Sequence, residues 1–393
     1  MDIVKNPNID WLGLKWIFVS ISLILMVIAG LSVMIGGLNL GVDFTGGTLV
    51  HVKFKDEPQL ERIREILIEA ALQAEQVVRF DELSRNEVQI RMVSVEGEEA
   101  QGLTLENNQI FDALRQEYDQ SQSESGKLDL NNVSRSVLSA RLQELHPENT
   151  SEERPISEST EYYSELADKI IDYRTDHSGM IQDFSELDPL GIPAAVLETL
   201  SEESYLGSFT VISVESVGPK VGREMRTRAR NAIGFSLVGM LIYIAVRFWP
   251  IYGVAALVAL FHDVFITVGI FSLTGREISL TVVAALLTLV GYSINDTIVV
   301  FDRVRENLRL MRKSDLGTII NASINQTLNR TIMTSGMTFL AVFSLYLFGG
   351  QVLQGFSFAL VVGIIVGTYS SIAIASPIVL WWQSHLDRKN ARS

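Results

Sequence analysis

The chain of 393 residues contains no cysteine. That excludes a disulfide framework, a thiol nucleophile and a thiolate metal site, but leaves the compartment to be read from topology. A leader cleavage signal is also missing. Lys5 and Lys15 precede an apolar run as they would in a secretory leader, yet the run is too long and no A-x-A site follows it, so it reads as an uncleaved first span. Charge is absent from the longest apolar stretches: from Ile278 to Phe301 the only formally charged side chain is Asp296.

What is present is apolar length. Hydrophobic residues make up 47% of the chain, and the mean hydropathy is positive. Six runs, Trp16–Met34, Ala232–Phe248, Tyr252–Leu273, Ile278–Phe301, Thr331–Phe348 and Phe356–Trp382, are each close to or above the ~20 residues that cross ~30 Å of hydrocarbon. The expected fold class is a polytopic α-helical membrane protein with six transmembrane helices. The net charge of −14 is unevenly spread: Asn39–Arg230 holds 37 acidic against 19 basic side chains, and the remainder 9 against 13. The long loop is therefore an acidic, water-facing module on a membrane body with basic rims.

Short basic loops stay cytoplasmic, and the richest lies between spans four and five, with Arg303, Arg305, Arg309, Arg312, Lys313 and Arg330. The tail adds Arg388, Lys389 and Arg392. Both termini are accordingly placed inside and the Asn39–Arg230 loop outside. The expected layout is a first span within 1–38, an outer domain over 39–230, a five-span bundle over 231–383 with a cytoplasmic loop at 302–330, and a tail at 384–393.

Within the outer loop, Leu49–Phe54 alternates as a strand and Leu60–Leu72 has helical spacing. Gln76–Phe80 and Glu87–Val93 read as further strands, and Phe209–Val217 as a returning strand stopped by Gly218-Pro219. This order predicts a small α+β (ferredoxin-like) domain. The segment from about 96 to 205 is read as a helical insertion, with linkers at Gln120–Gly126 and Glu148–Ser159 and helices near Val133–Leu145 and Tyr162–Tyr173.

An ionisable group deep in an apolar span marks an ion or proton path or a polar contact between helices. Asp296 shares a helical face with Tyr292 and Thr288, with Asn295 beside it. Arg330 precedes a ladder of Thr331, Thr334, Ser335 and Thr338. Near Asp296 the arginine would hold the ionised carboxylate and release it on protonation; the competing reading is a rim residue reaching for the interface. His262-Asp263 in the third span is a relay or a local hydrogen-bonded pair, with the local pair preferred. Gly363 and Gly367, four apart, make a small-residue face for another helix. Gly41–Gly47 suits a tight backbone path better than a phosphate cradle, because neither the helix N-terminus nor the lysine of such loops follows.

These motifs carry a family resemblance. Gly41-Val42-Asp43-Phe44-Thr45-Gly46-Gly47, Val217–Gly222, Gly291–Asn307, Asn329–Gly336 and Leu345–Gly350 resemble the SecF family of the bacterial SecD–SecF protein-export complex. The resemblance implies one six-span half of a twelve-span assembly of the resistance-nodulation-division type, whose other half is SecD. It implies a non-enzymatic subunit in the bacterial inner membrane, with a periplasmic outer domain. Such a subunit uses the proton-motive force to draw unfolded polypeptides from the SecYEG channel; YidC and YajC are further candidate partners. It also implies proton conduction by Asp296 and Arg330; Asn295, Thr288, Tyr292, Thr331, Thr334, Ser335, His262 and Asp263 are, from their positions in the sequence, the supporting polar residues. No metal or organic cofactor is expected; sodium is the alternative coupling ion. The insertion is longer than the family leads one to expect. Its Ala167–Leu200 part faintly resembles a helix-hairpin-helix unit, but the acidic charge argues against nucleic acid and for contact with SecD or client chains. The alternatives weighed are a small-molecule efflux subunit of the same superfamily and a membrane-anchored receptor.

Overall fold

A computed structural model describes residues 7–72, 74–79, 86–92, 100–123, 125–147, 156–177, 179–247 and 249–390. Lys5, Phe248, Arg392, the expected strand ends Phe80 and Val93, and most of the stretch Glu148–Ser159 lie outside the described residues. The chain forms two compact units, Met1–Phe44 with Arg223–Ser393, and Thr45–Gly222.

In the first unit, α1 (Lys15–Gly36) is followed by a single turn, α2 (Val42–Thr45). The second unit opens with β1 (Gly47–Phe54), α3 (Leu60–Glu69), β2 (Ala74–Arg79), β3 (Glu87–Met92) and α4 (Ala100–Tyr118). Val50, Val52 and Phe54 alternate onto one face of β1, as the period of two requires, and meet Ile63, Leu67, Ile110 and Leu114 of the two helices in one core. α4 lies in the segment read as an insertion, yet its buried face belongs to this sheet core. Gly46 has φ +76 and a Cβ there would come within 2.8 Å of Pro219 Cα, so the chain enters β1 along a path that glycine alone follows without strain.

A helical module comes next. α5 (Gln120–Ser123) is one turn inside the stretch read as a linker; β4 (Leu128–Asp129), α6 (Arg135–Leu145), α7 (Ile156–Asp176), a 3-10 segment (Phe184–Leu190), α8 (Ala194–Glu203) and β5 (Ser204–Tyr205) follow. Leu138, Leu142, Leu166, Ile170, Val196 and Leu200 form its own core. β4 and β5 pair in parallel, and β6 (Phe209–Val217) then returns beside β1 to give an antiparallel sheet in the order β2-β3-β1-β6.

Two asparagines tie the module to the sheet. Asn131, 1% exposed, donates to Ile181 O at 3.1 Å and Gly207 O at 2.9 Å and accepts from Ile181 N at 2.9 Å. Asn132 donates to Phe209 O and accepts from Val211 N. Arg174 donates to Leu130 O and Val133 O, closing the same loop from α7. Asp129 accepts from Asn131 N, Asn132 Nδ2 and Gly207 N. Burial lifts its carboxyl above the usual carboxylate range, against the pull of the Asn132 and Asn131 hydrogen bonds.

The remaining elements are α9 (Pro219–Arg247), α10 (Pro250–Leu273), α11 (Leu280–Leu310), α12 (Leu316–Phe348), α13 (Gly350–Ser370), a π-helical turn (Ser371–Ala375) and α14 (Ser376–Asn390). Among the described residues five helices are long and apolar enough to cross a membrane: Lys15–Gly36, Pro250–Leu273, Leu280–Leu310, Leu316–Phe348 and Val352–His385. The expected second span falls within α9, which is not one of the five.

The stretch 302–330 differs from the expected loop. α11 runs on to Leu310 and α12 starts at Leu316, with Asp315 accepting from Thr318 N as the N-cap. Arg303 and Asn307 reach across to Gln326, and Asn307 to Ser323, so the two helices stay paired past the apolar runs. Arg330 consequently sits within α12 and not at its head. The π turn was not anticipated either. Pro377 lacks an N–H and its ring crowds the carbonyl four residues before it, and the widened turn stands just ahead of it.

Replacing Asn131 by alanine strands buried backbone partners on both sides of the junction. The expected cost is about 3 kcal/mol, read as faster protease cleavage and amide exchange within residues 128–207 while β1 keeps its protection. The raised Asp129 carboxyl also sets a pH dependence. Between the ordinary value and the raised one the folded module holds more protons than the unfolded chain, so stability falls as pH rises through that window. Opening free energy from amide exchange should therefore increase as pH is lowered from neutrality toward the ordinary carboxylate range.

Candidate functional site

α11 brings a carboxylate into an apolar environment that resists it. Asp296 is 3% exposed, and an ionised carboxylate at such depth costs roughly 2.5–3.5 kcal/mol on insertion scales. Its described hydrogen bond comes from α12, where Ser335 Oγ donates to Oδ2 at 2.9 Å. Thr331 and Ser335, one turn apart on α12, are both buried. Ser335 also forms part of the wall of an apolar groove of about 460 Å³ between Ile332, Phe339, Ile364 and Tyr369.

The other residues predicted around Asp296 are placed differently. Arg330 is exposed on α12 and makes no ion pair with Asp296 among the described residues. Thr334 is exposed and donates to Arg330 O and Thr331 O of its own helix, as exposed Thr288 does to Ala284 O. Asn295 is exposed, and the Tyr292 hydroxyl is buried with no hydrogen-bond partner among the described residues. Thr288, Gly291 and Asn295 thus form an uncovered polar stripe on α11, and Arg330 and Thr334 one on α12.

A second buried carboxylate lies in the same bundle. Asp263 on α10 is 0% exposed. Oδ1 pairs with His262 Nδ1 at 3.0 Å, while Oδ2 accepts from Ser293 Oγ of α11 at 2.5 Å and from Ser370 Oγ of α13 at 2.8 Å. The two glycines four apart explain how α13 comes so near. A Cβ at Gly363 would meet Leu289 Cδ2 at 2.5 Å, and one at Gly367 would meet Ser293 Cβ at 3.1 Å and Asp263 Oδ2 at 3.5 Å. The sequence reading named His262 and Asp263 but missed Ser293 and Ser370. Ser293 lies one turn before Asp296 in the same apolar run, and that spacing was the available signal.

Among the described residues no three His, Asp or Glu side chains converge on a point where a metal ion could sit. What the geometry can do is hold charge: two desolvated carboxylates, one on α11 and one bonded to α11, each satisfied by hydroxyls from a different helix. A side chain at position 367 would force α13 off this network. Gly367→Val should lower the stability of the detergent-solubilised protein by about 1–3 kcal/mol, checked by thermal unfolding against a Gly336→Val control, since a Cβ at Gly336 meets nothing within 4 Å.

The chain is similar to known proteins along most of its length. Residues 196–385 match the family model described as protein export membrane protein SecD/SecF, C-terminal, and residues 32–57 match the SecD/SecF GG motif. The protein translocase subunit SecF of Koribacter versatilis is 46% identical over 98% of this chain and 94% of its own length. The subunit SecF of Calditerrivibrio nitroreducens is 36% identical over 96% of each chain. The crystal structure of SecDF, a translocon-associated membrane protein from Thermus thermophilus, superposes with a TM-score of 0.65 at 30% identity. That match covers 96% of this chain and 39% of the solved one, so the chain spans about two fifths of that protein's length.

Proposed function

The chain belongs to the SecF family of protein translocase subunits, and from that premise we propose that it couples proton flow to polypeptide export. In this reading it is the six-span half of an accessory complex that, with SecD, promotes passage of unfolded chains through SecYEG. The single observation that carries the coupling is Asp296, buried in an apolar helix with a neutral serine donor. A neutral donor leaves an ionised carboxylate there without a counter-charge, which a cation brought within reach would supply.

Arg330 is the cation proposed to approach it. The guanidinium stays charged, and it stands on the helix that also supplies Ser335. Loss of a proton from Asp296 would draw Arg330 in, and a proton arriving would let it go. The uncovered stripes on α11 and α12 support a partner subunit: Thr288, Asn295, Arg330 and Thr334 are poor lipid-facing residues, and Gly291 and Gly336 leave room for another helix to come close. SecD is the proposed occupant, since the Thermus relative named SecDF extends well beyond the matched part.

The proposed topology completes six spans with α9, which contains the apolar stretch Ala232–Arg247. The basic residues at the α11–α12 turn favour a cytoplasmic position for it and a periplasmic one for the Thr45–Gly222 unit, in a bacterial inner membrane. The strand order β2-β3-β1-β6 with α3 and α4 on one face supports a ferredoxin-like assignment for that unit's sheet.

Asp296→Asn keeps the shape and removes the titration. In inverted vesicles it should lower proton-stimulated export at least tenfold while leaving co-purification with SecD intact; wild-type rates would overturn the coupling role. Driving wild-type vesicles with a sodium gradient alone should give no stimulation, and stimulation would assign sodium as the ion.

A further inference from the structure

Asp263 poses a problem of charge balance that the Asp296 site does not answer. It is fully buried, and the groups on its oxygens are two neutral hydroxyls and one imidazole. Among the described residues no lysine or arginine pairs with it; its ion-pair contact is His262. His262 is itself 2% exposed, and its Nε2 has no hydrogen-bond partner among the described residues.

Among the described side chains the elements packed around the pair bring no lysine or arginine to it; α14, which also packs on α10, carries exposed His385. On α11 the nearest titratable groups are Tyr292 and Asp296. From α13 the Tyr369 ring lies 6.4 Å from the imidazole, its hydroxyl donating to Phe18 O and accepting from Ser22 on α1. The described stretch of α1 that reaches Tyr369 has no ionisable side chain, and neither does the turn Ser371–Ala375. Among the described residues a bare carboxylate here would face only neutral donors in a buried position, which is the costly state. One proton shared by the pair removes the problem, carried on Nδ1 as imidazolium beside a carboxylate, or on Oδ1 beside a neutral imidazole.

We propose that the His262–Asp263 pair, clasped by Ser293 and Ser370, is a second proton-holding site of the bundle whose occupancy sets the contact of α11 with α10 and α13. The inference rests on the proton-coupled reading above. Its geometry gives it a lever: Ser293 holds Asp263 from one side of α11, and Asp296, one turn further along, holds Ser335 from another. When the pair gives its proton away, the carboxylate draws harder on the Ser293 and Ser370 hydroxyls and fixes α11; when it regains the proton, that hold weakens. The converging oxygens are two carboxylate and two hydroxyl atoms with a ring nitrogen already in place, fewer than a hard cation gathers, which favours a proton over a metal ion.

The test uses the full chain with its partner subunit in inverted vesicles and reads the pH profile of gradient-driven export. Asp263→Asn keeps size and an acceptor for the serines but cannot hold the proton. It should lower stimulation about tenfold and flatten the pH dependence. His262→Gln should flatten it as well, whereas Ser370→Ala should shift the midpoint and retain a titration. Infrared pH-difference spectra of the purified protein give a readout without transport: a protonation band, carboxyl or imidazolium, present in the wild type and in Asp296→Asn should vanish in Asp263→Asn. A wild-type profile and an unchanged spectrum in Asp263→Asn would overturn the second site while leaving Asp296 coupling standing. If Asp263→Asn does not assemble, an unchanged profile in His262→Gln would overturn it equally. A profile that follows sodium at fixed pH overturns the proton assignment. A wild type indifferent to any gradient sinks the coupling reading itself, a result distinct from the other two.

Discussion

A carboxylate taken out of water must find donors, a counter-charge or a proton, and in the membrane body of this chain that requirement decides which helices touch. α11 is the element on which it acts twice. Ser293 gives its hydroxyl to Asp263 on α10, and Asp296 takes the hydroxyl of Ser335 on α12. Without a hydrophobic driving force between helices in lipid, close packing and such hydrogen bonds hold the bundle. Gly363 and Gly367 provide the packing, because α13 comes near enough for Ser370 to reach Asp263 only where side chains are missing.

The water-facing unit meets the same requirement with other means. Asp129 is also buried, but backbone amides and an asparagine surround it, and the neighbouring Asn131 and Asn132 saturate the carbonyls of the junction. Amide donors fix a geometry and can only donate. This difference separates a structural carboxylate from the two in the bundle, whose hydroxyl partners can give or take a hydrogen bond as the charge changes.

Much of this was legible in the chain itself. The period-two alternation at Leu49–Phe54 and the stop at Gly218-Pro219 located β1 and β6, and the solitary charge in Ile278–Phe301 singled out Asp296. Other features were hidden for identifiable reasons. A cluster of arginines signals a cytoplasmic position, not a loop, and Arg303, Arg305 and Arg309 are good helix formers that carry α11 onward to Leu310. Ser293 and Ser370 look like any small residues in apolar helices until a third helix brings Asp263 between them. α4 escaped because its acidic, polar outer face outweighs the two buried residues, Ile110 and Leu114, that join it to the sheet core.

The two halves of the bundle are held unequally, and that asymmetry is what a coupling device needs. On one side α10, α11 and α13 share a closed network of buried polar atoms with glycine-thin contacts. On the other, α12 meets α11 through one serine at the depth of Asp296 and turns Arg330 and Thr334 outward. Near its start α12 is fastened again, where Asn321 and Asn325 bind the backbone of Ile9 and Leu12 and the side chain of Asp10, and Leu12 packs on Ile320 and Ile324. α12 is also packed along α13 through Phe339 and Val342 and held near its far end by Arg276, which donates to the Tyr346 hydroxyl at 3.2 Å, so the Asp296–Ser335 bond is a charge-sensitive contact within a helix fastened at both ends. In the proposed coupling, protonation of Asp296 would act through Ser335 on α12, the helix whose exposed polar stripe is the proposed seat of the partner subunit.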